Sequence, residues 1–340
     1  MSHAARFWEA HDGGGVRCTL CPHQCVVAEG REGLCRARGV REGELRSLVY
    51  GRPATVVSDE IEKKPLYHFH PGTRVLSLGT LGCNVLCSGC PNWQISHASA
   101  GRGEAEKLAY LTPSRALALA RRSKLQGVAW AYNDPVVWAE YVHDTAVTFR
   151  RAGLYTVLVT AGFLTVEALD YLAPVLDAFK FDLKAPGPQG WSWLTKVKDP
   201  APALAAAMRA KHEHGCHVEV VSNIVPGMND DEPSLEAMAG WVRESLGAAT
   251  PWHVTRFLPE FELSYLSATP IATLEKAVAI GRRLGLQYVY VGNVPGHHTR
   301  HTVCPSCSRT VIHRETRGAE RVEVVGGRCA FCGTDLGVIQ

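Results

Sequence analysis

From residue 75 to about 294 the chain alternates short apolar runs with longer stretches in which apolar positions recur every three to four residues. The runs at 75–78, 127–130, 156–160, 178–181, 218–222, 253–257 and 288–291 are brief and rich in β-branched or aromatic residues, so they predict strands. Between them, 113–124, 137–152, 166–172, 201–214, 235–246 and 271–284 predict helices. Thr112-Pro113 and the stretch from Asp230 to Pro233 supply start signals, and Gly153, Gly215 and Gly285 stand where C-caps fall. Repeated units of this kind predict an α/β fold: a parallel sheet with right-handed crossovers, curled into a partial (β/α)6-type barrel. Near-continuous apolar strands fit a sheet covered on both faces. In such barrels chemistry gathers at the C-terminal strand ends.

The flanks lack this rhythm and carry cysteines instead. Three parts are expected: an N-terminal module over 1–60, the barrel over 61–295 and a C-terminal module over 296–340. In the first, residues 45–50 and 54–57 read as a small hairpin packing the module on the barrel. The net charge of +3 is too small to argue for nucleic acid or a membrane. No run of about 20 apolar residues suggests a spanning helix, and the start Met1-Ser-His-Ala-Ala-Arg lacks a signal-peptide core, so a cytoplasmic protein is expected. In that setting eleven of the twelve cysteines, clustered as 18/21/25/35, 83/87/90 and 304/307/329/332, read as metal ligands, not disulfides. Cys216 stands alone and reads as a buried apolar residue.

The centre of the chain is Leu78-Gly-Thr-Leu-Gly-Cys83-Asn-Val-Leu-Cys87-Ser-Gly-Cys90-Pro-Asn-Trp93. Three thiolates at C-x3-C-x2-C spacing reach three corners of a [4Fe–4S] cube and leave one iron free to bind another molecule. The logic is that of catalytic zinc sites, which keep one position open. This stretch resembles the signature of the radical S-adenosylmethionine (SAM) superfamily, in which the open iron chelates SAM and an electron from the cluster splits it. Gly89 stands where that family usually has an aromatic residue.

The strand ends carry further polar residues: Tyr132-Asn133-Asp134-Pro135, Thr160-Ala-Gly162, Asp182-Leu-Lys184, Ser222-Asn223-Ile-Val-Pro-Gly227, Arg256-Phe-Leu-Pro and Gly292-Asn-Val-Pro-Gly-His297. The resemblance implies that Asn133 and Asp134 meet SAM's amino group and that Lys184, oriented by Asp182, meets its carboxylate. Thr160, Asn223 and His253 complete the expected SAM-binding set. Together the motifs resemble the pyruvate formate-lyase activating enzymes and, more closely, the radical SAM enzyme of the AmmeMemoRadiSam system. The latter likeness extends over Cys18-x-Leu-Cys21-Pro-His-x-Cys25, Glu62-Lys-Lys-Pro-Leu-Tyr-His68-Phe-His70-Pro-Gly72, Cys90-x-Asn-Trp93 and the closing cysteines. That family usually shows Phe-His-Pro where this chain has Phe257-Leu258-Pro259; His253 or His297 are candidates to replace the histidine.

The terminal sets are closed. Cys18, Cys21, Cys25 and Cys35 suit zinc or an auxiliary Fe–S cluster, and the short C-x2-C turn favours zinc, which takes a tetrahedral site. Cys304, Cys307, Cys329 and Cys332 form paired C-x2-C knuckles with the spacing of a zinc ribbon. Residues 300–335 hold six arginines against four acids and no aromatic stripe, which makes the ribbon a poor nucleic-acid binder. The mechanism implied needs a low-potential electron donor of flavodoxin or ferredoxin type. The two resemblances imply different partners: Memo-like and AMMECR1-like proteins, or a glycyl-radical enzyme. A metal-rich binding module without catalysis is the remaining reading.

Overall fold

In the computed structural model, which describes residues 3–101, 103–315 and 318–340, the centre is an eight-stranded sheet. Met1, Ser2, Arg102, Thr316 and Arg317 lie outside the described residues. The strands are β1 (Thr55–Glu60), β2 (Arg74–Gly79), β3 (Gly127–Trp130), β4 (Tyr155–Thr160), β5 (Ala178–Asp182), β6 (His217–Ile224), β7 (Trp252–Arg256) and β8 (Val289–Gly292). They lie in sequence order, β1 antiparallel to β2 and all later neighbours parallel. Helices α1 (Pro113–Arg122), α2 (Ala139–Arg151), α3 (Val166–Leu172), α4 (Ala201–His212), α5 (Glu232–Trp241) and α6 (Ile271–Arg283) make the crossovers.

Local chemistry sets several boundaries. Thr112, Thr165 and Asp231 cap α1, α3 and α5 by accepting from the third backbone N–H of each. Gly153 and Gly215, both at positive φ, follow α2 and α4 and turn the chain back toward the sheet.

The two sheet faces differ. Outward residues such as Leu78, Trp130, Leu158, Phe179, Phe181, Val220, Trp252 and Val254 join α1 to α6 in one large apolar core. The inner face was expected to be equally apolar, and it is not. It begins with a small apolar layer, Val75, Ala129, Val157 and Ala178 with Phe69 and Leu66, but it also holds Lys180, Glu219 and His253. A barrel lumen excludes bulk water without being packed by helices, so polar groups survive there when they bind one another.

Residues 45–50 and 54–57 do not pair as a hairpin. Glu44–Ser47 pairs with Arg38–Arg41 in the N-terminal module, whereas Thr55–Glu60 pairs with β2 as the edge of the barrel sheet. Gly51-Arg-Pro53 separates two sheets instead of turning within one. The C-terminal ribbon is an antiparallel sheet of Thr302–Val303, Thr310–Glu315 and Gly318–Val322. It closes the N-terminal end of the barrel: Ile339 N–H donates to His68 O at 2.8 Å, and His70 N–H donates to Ile339 O at 2.7 Å. No helix of the described residues is long and apolar enough to cross a membrane.

Candidate active site and metal centres

The C-terminal ends of β2 to β8 surround a cavity of about 440 Å³. Cys83, Cys87 and Cys90 form one wall, on the loop that leaves β2. That loop is fixed by its backbone. Gly82 N–H donates to Ile95 O at 2.9 Å, Cys83 N–H to Cys35 O at 3.1 Å and Ser88 N–H to Leu194 O at 2.9 Å. Gly82 sits at positive φ, and a methyl group there would collide with the Cys35 carbonyl oxygen, so only glycine lets the two segments meet.

The thiols are supplied with donors. Asp134 N–H and Val85 N–H point at Cys83 Sγ, at 3.2 and 3.4 Å, and Ser96 Oγ lies 3.2 Å from Cys90 Sγ. Burial pushes the Cys83 thiol well up and that of Cys87 up to about 11, the latter against the nearby Lys184 ammonium. Buried sulfurs held neutral by their surroundings, yet surrounded by N–H donors, become thiolates when a cationic metal compensates them. The donor set therefore fits an iron–sulfur cluster.

Six of the seven residues expected to bind SAM line the cavity: Asn133, Asp134, Thr160, Asp182, Lys184 and Asn223. Asn133 and Asp134 have definite duties to the loop. Asn133 Oδ1 accepts from Thr80 N–H at 3.0 Å, and its amide donates to Gly82 O at 2.7 Å. The Asp134 carboxylate accepts from Thr160 Oγ1, Ala161 N–H and Val136 N–H at 2.9 to 3.2 Å. Asp182 accepts from Lys184 Nζ at 2.9 Å and also pairs with Lys180. Burial works against the Asp182 anion, but the two ammonium groups outweigh it and hold the carboxyl at about 2. Asn223 Oδ1 accepts from Thr255 Oγ1 at 3.3 Å.

His253 is not among the lining residues. It lies beneath, 1% exposed, with Nε2 donating to Glu219 at 2.7 Å. Counting back from Thr255, which does line the cavity, it is one inward position closer to the barrel floor. His297 also stays outside, buried with Nδ1 at 2.9 Å from Thr299 Oγ1. Neither histidine stands in for the one absent at Leu258, whose own side chain is at the mouth, 51% exposed. His68 and His70 are structural: His68 lies between Leu336 O and Tyr290 Oη at 3.0 and 2.7 Å, and His70 stacks on Tyr155.

Gly89 is explained by its neighbours. A Cβ there would sit 3.1 Å from both the Phe257 and Leu263 side chains, so those two residues already occupy the space that a side chain at this position would fill. Lys180 was not singled out from the sequence, although an unbroken apolar strand interrupted by one lysine was its signal. Arg256, whose Nε donates to Thr269 O at 2.9 Å, was noticed only as part of a strand end.

The terminal cysteine sets differ in geometry. Cys304 and Cys332 sulfurs are 3.6 Å apart and those of Cys307 and Cys329 3.7 Å, and all four ligand atoms gather within 4.8 Å of one another, a group able to hold a metal ion. Cys18, Cys21, Cys25 and Cys35 surround a small enclosed hollow.

Comparison with known proteins agrees with this arrangement. The family described as the Radical SAM superfamily matches residues 77–239, from β2 into α5. A protein of Methanocaldococcus jannaschii, itself named only as uncharacterized, is 37% identical over 98% of this chain and 99% of its own length. Among solved structures, a radical SAM methyltransferase from Sphaerobacter thermophilus superposes with a TM-score of 0.51 at 19% identity, over 66% of this chain and 67% of that one. A domain of a pyruvate-formate lyase-activating enzyme from Bacteroides vulgatus gives 0.42 at 17% identity, over 49% and 99%. A C-x3-C-x2-C loop after the first parallel strand, at the mouth of a partial α/β barrel, lies inside the matched residues: over 77–239 the chain carries a radical SAM superfamily domain.

Proposed function

We propose that this protein reductively cleaves SAM and uses the resulting 5′-deoxyadenosyl radical to abstract a hydrogen atom from a substrate bound at the barrel mouth. The reading is supported by one observation: three thiols form a wall of the cavity, with no further cysteine or histidine among the described residues that line it, and an acid flanked by two lysines shares that cavity. When bound, the cluster supplies the single electron that breaks the sulfonium bond. The chain's own residues do the positioning. Asn133 and Asp134 hold the loop so that the thiols keep their spacing. Lys184, fixed by Asp182, offers an ammonium to SAM's carboxylate, while Thr160 and Asn223 shape the remaining wall. No side chain has to act as a general base.

The test is anaerobic reconstitution with iron and sulfide, reduction with dithionite and chromatography for 5′-deoxyadenosine. Cys87→Ala is expected to abolish that product; full cleavage by the variant overturns the ligand assignment. If no product forms and SAM leaves the reduced cluster's paramagnetic resonance signal unchanged, the protein is a metal-rich binding module and not an enzyme.

For the biological setting we favour an AmmeMemoRadiSam-type system, with Memo-like and AMMECR1-like partners and a flavodoxin- or ferredoxin-type donor. The motif likeness over most of the chain supports it. A glycyl-radical protein as substrate is the second reading. It is favoured by exposed apolar side chains at or next in sequence to the lining: Leu258, which lines the cavity, and Trp93 and Trp193, beside the lining residues Asn92 and Leu194. A pull-down recovering one partner set or the other separates the two.

A further inference from the structure

We propose that Cys18, Cys21, Cys25 and Cys35 hold a second [4Fe–4S] cluster, and that it relays electrons to the site on Cys83, Cys87 and Cys90. The cluster assignment stands on its own geometry; the relay rests on the function proposed above.

Size separates the two closed cysteine sets. Four sulfurs 2.3 Å from a zinc ion lie about 3.8 Å from one another. The C-terminal sulfurs are at that spacing, 3.6 and 3.7 Å. The N-terminal ones are not. Among the described residues, the group gathered within 4.8 Å is the C-terminal one. The N-terminal four instead line an enclosed hollow of about 20 Å³. A water-sized void begins at about 10–15 Å³. A zinc tetrahedron leaves no such space between its sulfurs, whereas a cube of iron and sulfide requires it.

The walls suit a cluster too. Leu20, Val27 and Leu45 are buried apolar residues. Arg38, 1% exposed, also lines the hollow; Glu140 holds its two terminal nitrogens at 3.2 and 3.0 Å, and its Nε–H has no partner. A buried donor left unmatched is destabilising. A cluster sulfide or thiolate is an acceptor for it.

Four ligands leave no open iron, so this cluster carries electrons and does not bind SAM. Its position fits that role. Cys35 O accepts from Cys83 N–H at 3.1 Å, and Asn84, the next residue, lines the hollow. One hydrogen bond therefore joins a ligand of one cluster to a ligand of the other. On the outer side Val26 and Leu34, next in sequence to Cys25 and Cys35, are 52% and 43% exposed, so the surface beside two ligands can be changed without removing a ligand. The step balances simply: a reduced flavodoxin- or ferredoxin-type donor loses one electron, the N-terminal cluster gains it and passes it inward, and no bond or proton changes.

The full-length Cys83→Ala/Cys87→Ala/Cys90→Ala variant, reconstituted anaerobically, tests the cluster. It is expected to keep about four irons per chain against about eight in the parent. Its reduced paramagnetic resonance signal should not respond to SAM. Zinc in place of iron in that variant overturns the assignment. Parent protein that holds the same total of iron but cleaves no SAM would refute the proposed function and leave the second cluster standing. For the relay, Val26→Asp and Leu34→Asp leave every ligand in place. SAM cleavage driven by reduced flavodoxin should fall at least tenfold in this double variant, with dithionite-driven cleavage and iron content unchanged. Equal rates with both donors overturn the relay.

Discussion

Two carboxylates sit inside the same barrel, one fully buried and one partly exposed, each between two basic side chains, and they do opposite things. Glu219, fully buried, accepts from His217 Nε2 and His253 Nε2 at 3.0 and 2.7 Å, and from the backbone N–H groups of Tyr67 and His68 at 3.0 and 2.7 Å. Every lone pair is used, the carboxylate itself is closed off from solvent, and the group is part of the floor. Asp182, two inward positions nearer the mouth than Ala178, meets Lys180 and Lys184 on the wall of a 440 Å³ cavity. Its partners keep unused N–H donors, because an ammonium has three. A carboxylate whose donors are all spent on it is structure; one whose donors have capacity left is a place to bind an anion.

The sharpest way to break this contrast is Glu219→Ala. It leaves two imidazole donors and two amides without an acceptor in a closed space, and should cost about 3–5 kcal/mol, read as a lower denaturation midpoint. If the variant loses SAM binding at unchanged stability, floor and site have been confused.

Acid is the next largest effect. Burial holds His68 neutral, its pKa down at about 3, with Leu336 O and Tyr290 Oη matching the neutral ring. The unfolded chain takes up this proton below about pH 6.5, so the stabilisation is complete above that value and is lost as pH falls, by up to about 1.4 kcal/mol per unit. Burial opposes the Glu219 anion, but its two histidine donors carry its pKa well below the usual range, so its contribution is lost only under about pH 4.5. His68→Gln keeps both hydrogen bonds without the titration and should flatten the stability profile between pH 6.5 and 5. An unchanged slope would assign it to other groups.

Asp182→Asn should cost only about 1–2 kcal/mol, since water entering the cavity can solvate the lysines, yet weaken SAM binding at least tenfold by equilibrium dialysis. Stability loss as large as that of Glu219→Ala would erase the distinction between the two acids. The smallest change, Gly89→Ala, asks the ends of Phe257 and Leu263 to yield by a few tenths of an ångström. Less than about 1 kcal/mol is expected, with cluster content intact by iron analysis.

Periodicity exposed the barrel because each outward strand position packs on a helix, and such packing repeats in sequence. The cysteine spacing exposed the cluster loop for a similar reason: its three ligands lie within eight residues of one another. What could not be read was the lumen. Glu219, His253 and His68 come from segments up to 185 residues apart and are explained by their mutual contacts, and Lys180 by its pairing with Asp182. The sequence reading put His253 in the SAM-binding set, but a single pleat step below Thr255 places it in the floor. Metal identity was equally hidden at the N-terminus, because spacing counts residues whereas the choice between zinc and a cluster depends on the distances between sulfurs.

The ribbon seated under the barrel has a kinetic consequence. Arg314, 0% exposed, stacks over Tyr67 and donates to Thr302 Oγ1 at 2.8 Å, sealing that end with a cation and two aromatic rings. A vessel with a floor has one doorway. Whatever rests against its deepest wall must arrive before the larger guest that fills the entrance, and can leave only after that guest has gone.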